Sequence, residues 1–181
     1  TLKREIPEGW GCENVGNILA KDPLGKKIPT NQYQLDGAIP VIDQSPQLIC
    51  GYTDDDEALI QATQPRIIFG DHTRILKFIN FDFARGADGT QVLLSSNIHV
   101  PQCYFYHTLL RIDLSNYGYA RHFKFLKDHA IAIPDKDIVE RFEGKVNGLY
   151  DMVKHNIFES KKLEAIRDWL LPLLMNGQVK I

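Results

Sequence analysis

The run from Asp135 to Leu174, "DKDIVERFEGKVNGLYDMVKHNIFESKKLEAIRDWLLPLL", constrains the fold more than any other stretch. Apolar residues fall at Ile138, Phe142, Val146, Leu149, Val153, Ile157, Leu163, Ile166, Leu170 and Leu174. The steps are mostly three and four, the period of an amphipathic helix. Asp135 or Asp137 is a fitting N-cap after Pro134, with acids in the first turn. Pro172 and Gly177 are expected to end the helix, and Gly144 and Gly148 to weaken its first turns. At 1.5 Å per residue such a helix reaches roughly 50 Å, more than a compact domain of this size needs. Long helices of this kind usually pack against a second one. The expected interface is Phe142, Val146, Leu149, Val153, Ile157, Leu163, Ile166 and Leu170. Asn156, Ser160 and Arg167 fall near this stripe. They either fix partner and register in a coiled coil, or face water on a helix lying along its own domain.

Upstream the texture differs. Residues 1–134 are broken repeatedly by Gly and Pro, and short apolar runs lie between: "AIPVI", "QLICGY", "RIIFG", "ILKFINFDF", "QVLLSS" and "AIAIP". Runs of this length bounded by turn formers are strands. "FDFARGADGTQVLL" reads as two strands joined by a loop holding Gly86, Asp88 and Gly89. "PQCYFYHTLLRI" is a helix candidate with Pro101 near its start and Tyr104, Leu109 and Ile112 among its apolar positions. The expected fold is therefore α+β, a strand-rich globular domain (1–134) followed by one long helix (135–175) and a short tail (176–181). No internal repeat or low-complexity segment is visible.

At 181 residues and 44% hydrophobic, the chain has the size of one domain with an appendage and can bury a real core. No stretch is apolar enough to span a membrane, and "TLKREIPEGW" holds no signal region. Cys12, Cys50 and Cys103 are odd in number and far apart, which points to reduced thiols and a cytoplasmic protein. The net charge of −2 argues against indiscriminate polyanion binding, but it hides an asymmetry. Residues 1–65 balance at −5, whereas residues 66–127 balance at +4 and include His72, His99, His107 and His122. A local basic face is the footprint expected for a phosphate backbone. An ordinary solvated surface would give the same count.

The basic segment opens at "PRIIFGDHTRILKF", an apolar strand running into Asp71 and His72. Adjacent residues on an extended chain point to opposite faces, so the two do not form a catalytic dyad. Ser95 and Ser96 lack the nucleophile-elbow pattern, and no cysteine has an activating neighbourhood. The acidic run Asp54–Glu57 lacks the spacing of a hard-cation loop and suits a cap on the turn that follows. His107, His122 and His129 have no ligand spacing, so no metal site is expected. "GADG" is turn chemistry rather than a phosphate cradle.

Nucleic-acid binding has more support. "NYGYARHFKFLKD" interleaves Tyr117, Tyr119, Phe123 and Phe125 with Arg121, His122, Lys124 and Lys127. "GDHTRILK" adds His72, Thr73, Arg74 and Lys77. Basic side chains beside aromatics suit phosphate clamping and base-edge readout. The alternative is aromatics in the core with bases snorkelling outward. Arg74 and Arg121 are the foremost base readers, since Arg pairs bidentately with guanine, while the lysines suit phosphate. Asp71 is expected to organise its loop.

The C-terminal "KKLEAIRDWLLPLLMNGQVKI" resembles the closing helix of the specificity (S) subunits of Type I restriction–modification systems. The resemblance rests on Leu163, Ile166, Arg167, Asp168, Leu170, Leu171, Pro172, Leu174, Met175 and Gly177. The opening "LKREIPEGW" resembles the start of a target recognition domain at Ile6, Pro7, Gly9 and Trp10, and the middle is similar to one recurring class of these domains. The resemblance implies a non-catalytic cytoplasmic subunit, with a role in phage defence, that reads one half of a bipartite site in double-stranded DNA. It implies docking to modification (methyltransferase) subunits and, through them, to the restriction subunit. S-adenosylmethionine, ATP and Mg²⁺ would belong to those partners, and this chain would hold no cofactor. An S subunit has two recognition domains and two antiparallel spacer helices. One domain and one helix are expected here to be the C-terminal half of such a subunit or a short half-subunit. Its helix should then pair with the other half or with a second copy. The runner-up is an assembly module that docks the modification subunit through the helix without reading DNA.

Overall fold

The computed structural model describes residues 6–22, 24–118 and 121–178, and the fold is α+β. Thr1–Gly144 forms one compact unit and Lys145–Ile181 a second. The division falls inside the long helix, so its first turns belong to the strand-rich unit. Along the chain run β1 (Gly11–Asn14), α1 (Val15–Ile18), β2 (Ile39–Ile42), β3 (Gly51–Thr53), β4 (Leu59–Ile60), β5 (Arg66–Gly70), β6 (Leu76–Ile79), β7 (Phe83–Arg85) and β8 (Thr90–Leu93). There follow α2 (Gln102–Leu109), α3 (His122–Asp128), β9 (Ala130–Ile133) and α4 (Lys136–Met175).

The strands form three sheets: β1–β9, β3–β2–β7–β4 and β6–β5–β8. All pairs are antiparallel except β2 with β7, which run parallel with Val41 opposite Ala84. The two strands of "FDFARGADGTQVLL" are present, but they enter different sheets: β7 lies between β2 and β4, and β8 lies against β5. Their loop therefore bridges two sheets. No local signal marks this, because the partners are chosen by burial of Phe83, Ala84 and Leu93 against distant strands.

β5 is buried along its whole length, as a central strand should be. Ile67 and Phe69 enter the larger core with Val15, Leu93, Phe105, Leu109 and Leu126. Truncating Phe69 in such a setting costs about 3–5 kcal/mol. A smaller core gathers Ile28, Ile39, Val41, Ala58 and Ala84. In β6 the strand alternation puts Leu76 and Phe78 against the larger core, and turns Lys77 and Ile79 to the other, also buried, face.

α2 is shorter than the sequence suggests. Pro101 stands at its N-cap, and Cys103, Phe105 and Leu109 face inward, while Ile112 lies in the turn beyond. The acidic run behaves as expected: Asp55 Oδ1 accepts from Glu57 N at 3.1 Å and caps the 3₁₀ turn Asp56–Ala58.

α4 spans 40 residues, and Pro172 lies inside it rather than ending it. A proline forfeits its own N–H bond and crowds the carbonyl four residues back, but Pro172 lies in the last turn, where few further bonds depend on it. The stop is made by Gly177 at φ +65°, with Gly177 N donating to Leu174 O at 3.1 Å and Gln178 N to Leu173 O at 2.9 Å. This pair of bonds is the Schellman closure that a left-handed glycine permits. Within the first unit, Phe142 meets the rings of Tyr104 and His107 edge-on, at 6.4 and 5.6 Å. It is thus engaged by α2. In the second unit Leu149, Val153, Leu163 and Ile166 are each at least half exposed, as are Met152 and Trp169. Val146, Ile157 and Leu170 are partly covered.

Candidate nucleic-acid interface

The β5–β6 turn is the anchor of the site. Gly70 N donates to Ile75 O and Arg74 N to Gly70 O, at 2.9 and 2.8 Å, and Arg74 takes the left-handed φ of +62°. A Cβ on Gly70 would stand 2.1 Å from Thr73 Oγ1, so the tight turn requires glycine there. The turn lifts His72, Thr73 and Arg74 to the surface and leaves Asp71 buried, 6% exposed.

Asp71 ties three segments together. Its N–H donates to Gly89 O at 2.8 Å in the β7–β8 loop, and its carbonyl accepts from His122 N at 2.9 Å. Its carboxylate Oδ1 accepts from Phe123 N at 2.8 Å. Arg121, the N-cap residue of α3, offers no side-chain bond of its own. Asp71 supplies the missing acceptor from across the fold and places a negative group at the helix N-terminus.

Gln44, in the β2–β3 loop, is the second tie. His72 N donates to its Oε1 at 3.2 Å, its Nε2 donates to Asp88 O at 2.8 Å, and Thr73 Oγ1 donates to its carbonyl at 2.8 Å. Lys27 Nζ reaches Asp88 Oδ1 at 2.7 Å. The Lys27 bond and charge, with a smaller contribution from Arg121, hold the Asp88 carboxyl below the usual carboxylate range. One exposed region thus gathers Lys27, His72, Thr73, Asp88 and Arg121.

Of the residues expected to contact nucleic acid, His72, Thr73, Arg74, Arg121 and Lys124 are exposed. Arg74 is drawn back, with Nη1 donating to Leu114 O at 3.3 Å beside a cavity of about 280 Å³ that Leu109, Asp113 and Leu126 also line. Lys127 is half-buried, with its ammonium 5.1 Å from the centre of the Phe123 ring. Lys77 and His122 are corrections. Lys77 is 5% exposed, and its ammonium donates to Gln47 O and to Cys50 Sγ, beneath the β2–β3 loop. Burial holds its pKa below the usual lysine range. Strand alternation sends it inward, a consequence of register that its charge conceals. His122 is 3% exposed, and its Nδ1 has no hydrogen-bond partner among the described residues. Neither side chain faces a groove.

The aromatics of "NYGYARHFKFLKD" pack rather than splay. Phe123 lies 6.2 Å from Phe69, and Tyr117 stacks on Phe125 at 4.1 Å. Tyr119 lies outside the described residues. Lys27, Gln44 and Asp88 were missed by the sequence reading. The first two come from the acidic opening third, and only the turn glycines around Asp88 hinted at a built loop. Among the described residues, no group of His, Cys, Asp and Glu is placed to hold a metal.

No protein-family model matches the chain. The MjaIX Type I restriction enzyme specificity subunit of Methanocaldococcus jannaschii is 26% identical over 204 aligned positions, covering 99% of this chain and 46% of that protein. The chain resembles a Type I specificity subunit along nearly its whole length. The HindI specificity subunit of Haemophilus influenzae is 41% identical over 49 residues, 27% of this chain and 11% of that protein. In fold, the chain matches the Type I S subunit from M. genitalium with a TM-score of 0.59 at 17% identity, over 91% of this chain and 45% of that one. A structure describing assembly of a type I R-M system matches with a TM-score of 0.50 at 16% identity, over 97% of this chain and 50% of that one. The chain thus spans about half the length of the relatives it matches along its length.

Proposed function

We propose that this chain reads one half of a bipartite site in double-stranded DNA, as the specificity component of a Type I restriction–modification complex. The observation that carries the reading is the face built on Asp71. His72, Thr73 and Arg74 from one turn and Arg121 and Lys124 from α3 are held on the same scaffold, in a chain that resembles specificity subunits over 99% of its length. Arg121 is the leading base reader, because Arg74 is already engaged by Leu114. Lys124 and Lys127 suit phosphate. Residues 1–134 act as the recognition domain and 135–175 as the spacer helix. The specificity subunit is the non-catalytic member of such systems. S-adenosylmethionine, ATP and Mg²⁺ therefore belong to the modification and restriction subunits. The setting is cytoplasmic, in keeping with the free thiols of Cys12, Cys50 and Cys103. Among the described residues, no helix is long and apolar enough to cross a membrane.

A second reading keeps the helix and drops the DNA: an assembly module that docks the modification subunit through α4. The exposed apolar residues of α4, Leu163, Ile166 and Trp169 among them, favour it. Mapping methylated sites in cells with the modification subunit, with and without this chain, separates the two. A methylation motif that depends on the chain supports the DNA reader. Methylation that keeps the same motif without the chain overturns it.

A further inference from the structure

The basic face carries one feature that phosphate binding does not explain. Asp88 projects from the β7–β8 loop with its side chain 97% exposed, paired with Lys27 and within the field of Arg121. A carboxylate there repels the DNA backbone whatever the sequence. Yet the fold holds it firmly. Gln44 Nε2 donates to Asp88 O at 2.8 Å, Asp71 N to Gly89 O at 2.8 Å, and Ala87 N to Ile28 O at 3.1 Å. The two flanking residues have left-handed backbones, Ala87 at φ +31° and Gly89 at φ +81°. Ala87 is unusual in this region, and such strain is characteristic of functional loops. A Cβ on Gly89 would come 2.7 Å from Gln44 Nε2 and 2.9 Å from His72 Cδ2, so the Asp88 loop is wedged against the His72 turn.

Base edges in the major groove present hydrogen-bond donors only from amino groups: cytosine N4 and adenine N6. A carboxylate accepts from either, and is repelled by guanine O6 and N7 and by thymine O4. At adenine its second oxygen would face the N7 lone pair, whereas cytosine presents no acceptor in that direction. Arginine on the same face reads guanine, so Asp88 and Arg121 have complementary preferences.

We propose that Asp88 is a specificity-determining residue that selects cytosine at one position of the half-site and weakens binding to sequences lacking it. The inference rests on the DNA reading above. Lys27 and Arg121 keep the carboxylate ionised and aimed until the base amino group meets it, and its repulsion of phosphate acts against wrong sequences.

The test uses the full chain with the modification subunit, in the same methylation-mapping format, comparing wild type with Asp88→Ala and Asp88→Asn. Asp88→Ala should relax one cytosine position of the motif, with discrimination there falling by about tenfold. Asp88→Asn should shift that position toward adenine, which an amide pairs bidentately. Fluorescence anisotropy with a 20-base-pair duplex of arbitrary sequence should show both variants binding several-fold more tightly than wild type. Methylation indifferent to the presence of the chain would sink the DNA reading and this inference together. A chain-dependent motif that both variants leave unchanged at every position would sink the Asp88 inference alone. Weaker binding of the arbitrary duplex by both variants would also overturn it, since Asp88 would then only hold Lys27 and Arg121 in place.

Discussion

Asp71 Oδ1 accepts the backbone N–H of Phe123 at 2.8 Å, from 52 residues earlier in the chain. This bond makes the β5–β6 turn and the start of α3 one rigid piece. Replacing Asp71 by Ala leaves a half-buried N–H without its acceptor and removes the helix cap, a cost of about 1–2 kcal/mol. Asp71→Asn keeps an acceptor oxygen and should cost less. Urea denaturation gives the stability change, and hydrogen exchange at the Phe123 amide should accelerate in the Ala variant. Unchanged exchange at that amide would show that the cap does not hold α3.

Arg121 and Lys77 should fail in opposite ways. Arg121 is exposed, so Arg121→Ala should alter stability by no more than about 0.5 kcal/mol. It should weaken binding of cognate duplex in the presence of the modification subunit by about 1–3 kcal/mol and relax discrimination at one guanine position. Lys77 is buried, so Lys77→Ala should destabilise by about 2–4 kcal/mol, and the longer Met should cost less. The salt slope should not change in Lys77→Met. A reduced slope there, or unchanged cognate affinity in Arg121→Ala, would reverse these assignments.

Burial raises the Glu143 carboxyl above the ordinary 4.5. Between 4.5 and the raised value, the folded chain holds a proton that the unfolded chain has lost. Stability therefore falls as pH rises through this window, and at neutral pH the ionised group carries the full penalty. Glu143→Gln should melt at a higher temperature than wild type at neutral pH, and the difference should vanish below pH 4.5. A difference independent of pH would point to packing instead.

The exposed apolar residues of α4 should recruit a second helix. At micromolar concentration, analytical ultracentrifugation of the isolated chain should find a two-fold homodimer through α4. Ile166→Asp, which puts a charge on the half-exposed stripe, should give a monomer with its melting temperature little changed. A wild-type monomer under these conditions would count against pairing through this helix.

The outline of the fold was legible where periodicity is strong. The α4 pattern marks a helix from Asp135 onward, and "RIIFG" and "AIAIP" coincide closely with β5 and β9. Pro172 misled as a stop, because a proline disturbs the turn before it while the turn after it still closes, Asn176 N donating to Pro172 O at 3.1 Å, and here Gly177 sets the end. The candidate site was half legible. "GDHTR" announces a polar loop after a strand, and Arg121 a surface base. Lys77 and His122 read as basic surface, but strand register and the packing of α3 turn them inward.

The sequence by itself determined the α+β class, the long amphipathic helix, the basic middle segment and the polar loop that follows the strand at Gly70. These are local properties, set by spacing and by conformational preference. Only the tertiary structure decided that Asp71 caps α3, that Gln44 joins three loops, and that Asp88 stands among cations from distant segments. Each of these depends on which strands pair, and pairing across tens of residues is governed by the burial of a shared core, which no short window of sequence records.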